Sequence, residues 1–122
     1  MNSDHRQLLG RLGETIAATF LRNKGYNLLE RNWRTPYGEI DLIAKYDESI
    51  VFVEVKTRSS RSLGPPEISI TPRKGEHMRQ AAEYYIQQHP TMNADWRIDL
   101  ITIQFLPGDT PALIDHFENV LA

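Results

Sequence analysis

Apolar and polar positions change period several times along the chain, and each change marks an element. From about Asp4 to Lys24 the apolar residues Leu8, Leu9, Leu12, Ile16 and Phe20 recur at helical spacing, with Gly25 placed as a C-cap. An amphipathic first helix is predicted. Tyr26 to Trp33 reads as a strand, and Thr35-Pro36-Tyr37-Gly38 carries the residues of a type I turn. The chain therefore reverses into Gly38–Ala44. A tip at Asp47-Glu48 reverses it again into Val51–Arg58, which begins within the unbroken apolar run Ile50 to Val53, the mark of a strand buried on both faces. Ser59 to Pro66 is polar and rich in breakers, so no regular element is expected there. Thr71 caps a second helix with Pro72 at its first position. Met78, Ala81, Ala82, Tyr85 and Ile86 form its apolar face as far as about His89-Pro90. Arg97 to Phe105 alternates as another strand, and Ala112 to Phe117 adds a short last one. The helix between Val51 and Phe105 makes those two strands parallel, so a mixed sheet is expected.

Two of these strands carry charge where a sheet is ordinarily apolar. A hairpin tip at Asp47-Glu48 pairs Tyr46 with Ser49 and Ile43 with Phe52. Continued, the same register sets Asp41 against Glu54 and Glu39 against Lys56. Like charges in that position destabilise a sheet unless a cation lies between them, and a hard divalent ion with oxygen ligands is the natural candidate. Glu39 has two readings, a further ligand or a counter-charge to Lys56.

At 122 residues and 40% hydrophobic content, the chain fits one α/β domain spanning residues 1–122. The absence of cysteine excludes disulfides, iron–sulfur clusters and thiolate zinc sites. No stretch is apolar enough to span a membrane and the first residues lack a signal-peptide pattern, so a cytoplasmic location is expected. The net charge of −2 conceals local balances of 0 over residues 1–53, +3 over 54–82 and −5 over 83–122. The basic excess falls beside the acidic strand pair, where Arg58, Arg61, Arg73 and Lys74 are candidates to grip phosphate; the alternative is an ordinary solvated surface. His77 and Gln80 project either toward the acidic strands or simply to solvent.

An Asp followed about a dozen residues later by Glu-x-Lys on the next strand is what a metal-dependent phosphodiester hydrolase needs. Asp41, Glu54 and the Val55 carbonyl would hold Mg²⁺ or Mn²⁺. Lys56 would orient or activate the attacking water. The α-β-β-β-α-β order with Asp41 and Glu54-Val55-Lys56 resembles the restriction-endonuclease-like, PD-(D/E)XK nuclease superfamily. More closely, the chain resembles the YraN family of uncharacterised bacterial proteins. That likeness runs through Gly13-Glu14, Arg31-Asn32, Gly38–Ala44, Phe52–Arg58, Lys74, Ala82, Tyr84-Tyr85 and Arg97–Ile101 to His116 and Asn119. Ile40 stands where the superfamily name expects Pro. Similarity to archaeal Holliday-junction resolvases, which have a helical Glu ahead of the same residues, makes Glu14 an additional candidate ligand; the alternative is a solvated helix carboxylate. The resemblance implies a DNA endonuclease acting on branched or flapped DNA, with a homodimer as one assembly. The rival expectation is a module that keeps the nuclease fold but binds nucleic acid, or a DNA-repair partner protein, without cutting.

Overall fold

The computed structural model describes residues 3–59, 70–90 and 95–121, so Arg61 and most of the polar stretch around it lie outside the described residues. Helix α1 (Ser3–Asn23) leads into strands β1 (Asn27–Thr35), β2 (Gly38–Tyr46) and β3 (Ser49–Arg58). Helix α2 (Pro72–Gln88) and strands β4 (Asp95–Gln104) and β5 (Leu113–Phe117) follow. The five strands lie in the order β1-β2-β3-β4-β5. All neighbours are antiparallel except β3 and β4, which run parallel as the intervening helix requires. The expected mixed α/β architecture is met.

Each helix covers one face of the sheet. On the α1 side Ala17, Ala18 and Leu21 pack with Leu42, Ala44, Val51, Val53, Ile101 and Ile103. On the α2 side Met78, Ala81, Ala82 and Tyr85 pack with Ile40, Ile43, Ile50, Phe52 and Ile98. Burial on both faces explains why Ile50 to Val53 is continuously apolar. At the start of α2 the Lys74 N–H donates to Thr71 Oγ1 at 3.2 Å, the cap that the Thr-Pro pair predicts.

The first helix is rotated relative to the stripe read from its large residues. Leu8 and Leu12 are 50% and 45% exposed, whereas Gly13, Ala17 and Ala18 are buried. The cause is close approach: a Cβ added to Gly13 would overlap Thr57 Oγ1 of β3, so small residues make the contact and Leu8 and Leu12 turn outward.

The hairpin register also holds only in part. Tyr46 pairs with Ser49, Ile43 with Phe52 and Leu42 with Val53, and there the β2–β3 ladder ends. Asp41 and Glu54 are therefore not paired across the ladder, nor are Glu39 and Lys56. Instead β2 continues alone with β1, setting Glu39 against Arg34, while β3 continues with β4 as far as Arg58 and Gln104. The sheet forks between Asp41 and Glu54.

A candidate metal and phosphate site at the fork of the sheet

Strand alternation breaks at Asp41. Ile40 and Ile43 both face α2 while Leu42 and Ala44 face α1, so the chain makes an irregular step between Ile40 and Leu42. Opposite that step on β1, Asn32 adopts a left-handed φ of +52°, flanked by the pairs Arg31–Leu42 and Trp33–Ile40. The step leaves the Val55 N–H without a strand partner at the fork, and Asp41 Oδ2 accepts from it at 2.8 Å. A side chain thus replaces a ladder hydrogen bond and holds the carboxylate where the strands part.

Carboxylates from three elements line one cleft there. Glu54 follows the apolar run of β3, and Glu14 arrives from α1 because Gly13, directly before it, lets the helix lie against Thr57. Together with Arg6, Leu9, Gly10, Thr57, Arg58 and Ser59, they line a cleft of about 460 Å³. Burial pushes Asp41 from the ordinary 3.8 up to about 7, with the Glu54 carboxylate as the next cause and Glu14 adding a smaller push. The Val55 N–H and Lys74 oppose the rise. Glu14 Oε1 and Glu54 Oε2 are buried with no hydrogen-bond partner among the described residues. Lys74 Nζ lies 3.4 Å from Glu54 Oε2, close enough to offset charge but without the geometry of a hydrogen bond.

Can these residues hold a metal ion? Among the described residues no group of three or more acidic or histidine side chains is assembled as a ready cage. Mg²⁺ does not require one, since it keeps several waters and is commonly held by one or two carboxylates. Two buried carboxylate oxygens without donors, beside an Asp that resists ionisation, are the features a cation would relieve. The carboxylates of Asp41 and Glu54 therefore have the chemistry that such an ion takes, with Glu14 and Val55 lining the same cleft.

The other sequence-derived candidates divide. Arg58 lines the cleft; Lys56 is partly buried on the same side of β3 as Glu54 but is not among the residues lining the cleft. Lys74 lies at the site, but as a partner of Glu54. Arg73 is exposed and does not line the cleft. Glu39 is not a counter-charge to Lys56: it pairs with Arg34, its Oε2 lying 3.5 Å from Arg34 Nε on the surface. Gln80 and His77 face grooves between α2 and the β1–β2 turn and do not line this cleft. Arg6 was missed. It sits in the first turn of α1, where only the packing of that helix on β3 reveals that it borders the acidic residues.

A second polar centre lies under the C-terminal end of α1. Asp99 is completely buried and accepts from Arg97 Nε at 3.0 Å, His116 Nε2 at 2.8 Å and the Asn119 N–H at 2.9 Å. The Lys24 ammonium donates to His116 Nδ1 at 2.8 Å, which fixes the proton of the ring on Nε2. Arg97 also reaches Tyr26 Oη and Glu118. These bonds hold the Asp99 carboxyl below its usual range despite its burial. With its donors satisfied within the fold, this centre locks β4, β5 and the end of α1 together. The Arg97-x-Asp99 spacing, two residues apart on one strand face, is the signal in the sequence.

A small mixed sheet between two helices, forked at a carboxylate cluster, defines an α/β protein with a candidate cation site where two of its inner strands part. Residues 13–103 match the uncharacterised protein family UPF0102, and the chain belongs to that family. A UPF0102 protein of Syntrophomonas wolfei is 45% identical over 91% of this chain and 95% of its own length. Another, from Geobacter metallireducens, is 41% identical over 94% of this chain and 93% of its own length. A third, from Caldicellulosiruptor saccharolyticus, is 42% identical over 81% of this chain and 84% of its own. The family expectation drawn from the motifs is met. No helix among the described residues is long and apolar enough to cross a membrane.

Proposed function

We propose that the fork is the active site of a divalent-metal-dependent DNA endonuclease, with Asp41, Glu54 and the Val55 carbonyl holding Mg²⁺ or Mn²⁺ and Glu14 placed as a further ligand. The observation that carries this reading is the pair of buried carboxylate oxygens, on Glu14 and Glu54, that find no donor beside a high-pKa Asp41. Such a cluster costs stability, and a folded chain gains by keeping it only if a bound cation or a reaction uses it. When bound, the ion would polarise the phosphate and favour a hydroxide nucleophile. The chain's own residues do the rest. Lys56 orients the attacking water and offsets phosphate charge, while Arg58 and Arg6, at the cleft, steer the phosphate backbone towards it. Leu9 and Thr57 also line the cleft. Branched or flapped DNA is the substrate class this reading favours.

One observation favours a second reading. Lys74 already compensates Glu54, so the cluster can persist without metal, as in a module that binds DNA or a DNA-processing partner without cutting. The deciding experiment incubates the protein with Mg²⁺ or Mn²⁺ on linear, single-stranded, flapped and four-way-junction DNA, alongside Glu54→Ala, Asp41→Asn and Lys56→Ala. Metal-dependent cutting lost in all three variants supports the nuclease. Cutting retained by any purified variant refutes the assignment, and Mn²⁺ binding without cutting favours the second reading.

A further inference from the structure

One face of α2 leads away from the acidic cluster, and its chemistry differs from that of the cleft. Lys74, beside Glu54, and His77 border a small groove shared with Tyr37 at the β1–β2 turn. Further along, Gln80, Tyr84 and Gln87 border a second groove of about 200 Å³, also walled by Tyr37. Positions 74, 77, 80, 84 and 87 follow the helical repeat, so they form one stripe about 20 Å long. Tyr37 is 43% exposed on a tight turn and stands edge-on to Tyr84 at 6.2 Å, and Tyr84 leans on Trp33 at 5.8 Å. The interior packing of the domain does not require the Tyr37 ring, since it closes no core cluster.

We propose that this stripe is the track for an unpaired nucleic-acid strand leaving the fork, with Tyr37 and Tyr84 stacking a base and the amides of Gln80 and Gln87 bonding its edge. The inference rests on the nuclease reading and gives it a substrate class, a flap or single-stranded arm in preference to uninterrupted duplex. The size of the groove, below that of pockets for drug-sized ligands, suits one planar ring. In the second groove charge selects the base over the phosphate as the recognised group: Glu83 flanks it and repels a backbone laid against it, whereas at the first groove Lys74 stands opposite Glu39, which Arg34 already pairs. Stacking tolerates sequence because every base has a π-face. Affinity contributed by this track should therefore fall only weakly with salt, unlike binding through phosphates.

The test titrates wild type, Tyr37→Ala and Tyr37→Phe, all in EDTA, into a single-stranded oligonucleotide carrying a fluorescent purine, and into a duplex of the same sequence. Wild type should quench the single-stranded probe. Tyr37→Ala should weaken its binding about tenfold or more, with duplex binding changed less than about twofold, and Tyr37→Phe should bind as wild type. Tyr37 lies at an exposed turn, and matching thermal unfolding of the three proteins checks the fold. Equal single-strand affinity of wild type and Tyr37→Ala overturns the track. If duplex or junction DNA is still cut while that equality holds, the track fails and the nuclease reading survives. If nothing is bound and nothing is cut, both fail.

Discussion

Replacing Asp41 with Asn should stabilise the protein, and by an amount that depends on pH. Burial and Glu54 raise the Asp41 carboxyl from 3.8 to about 7. The folded state therefore holds this proton more tightly than the unfolded chain does. That preference contributes stability fully present below pH 3.8 and lost as pH rises through about 7. A displacement of about three pH units corresponds to a ceiling of about 4 kcal/mol. Screening by solvent in the cleft reduces it, leaving about 1–3 kcal/mol as the expected penalty carried by the ionised wild type. Asn has no charge to repel Glu54, and its amide oxygen can still accept from the Val55 N–H. Urea unfolding in EDTA should show the two proteins differing little near pH 4, and Asp41→Asn more stable by about 1–3 kcal/mol near pH 8. For a domain of this size that is a rise in Tm of roughly 3–15 °C. Added Mn²⁺ should then stabilise wild type near pH 8, by about 2.7 kcal/mol at a hundredfold excess over Kd, and Asp41→Asn much less. A difference between the proteins that is the same at both pH values would refute the argument that Asp41 is held protonated by its surroundings.

Two further substitutions probe how the site is built. Gly13→Ala improves intrinsic helix propensity by about 1 kcal/mol, yet it should destabilise by about 1–3 kcal/mol in chemical denaturation, because the added methyl meets Thr57 and forces α1 off β3. A gain in stability would show that α1 is not held by that contact. Asp99→Ala should cost about 3–5 kcal/mol by leaving Arg97 and His116 without their buried partner. Since the Asp99 carboxyl is held below its ordinary range, its contribution is present above that range and lost as pH falls through the depressed value. The gap between wild type and variant should narrow in strong acid; a gap independent of pH would rule out an ionised Asp99.

The sequence by itself determined the elements and much of the sheet. Alternation and helical spacing record which faces are buried, and a two-residue connection at Asp47-Glu48 fixes the Tyr46–Ser49 register because a one-residue slip would turn every apolar side chain to the wrong face. The same local order brought Asp41 and Glu54 to one end of one hairpin. Only the tertiary structure decided what happens there. The ladder stops at Leu42–Val53, and a carboxylate takes the place of a backbone acceptor. Whether two strands stay paired depends on β1, β4 and both helices competing for them, and no local period encodes that competition. The same holds for Glu14, Arg6 and Lys74, which are distant along the chain and meet Asp41 and Glu54 through packing: Gly13 against Thr57 sets the depth of α1, and the α2 face sets the reach of Lys74. Large residues dominate a periodicity, so Leu8 and Leu12 marked the wrong face of α1. Close contact between a helix and a strand selects the smallest side chains, and glycine and alanine leave little trace in a hydrophobic pattern.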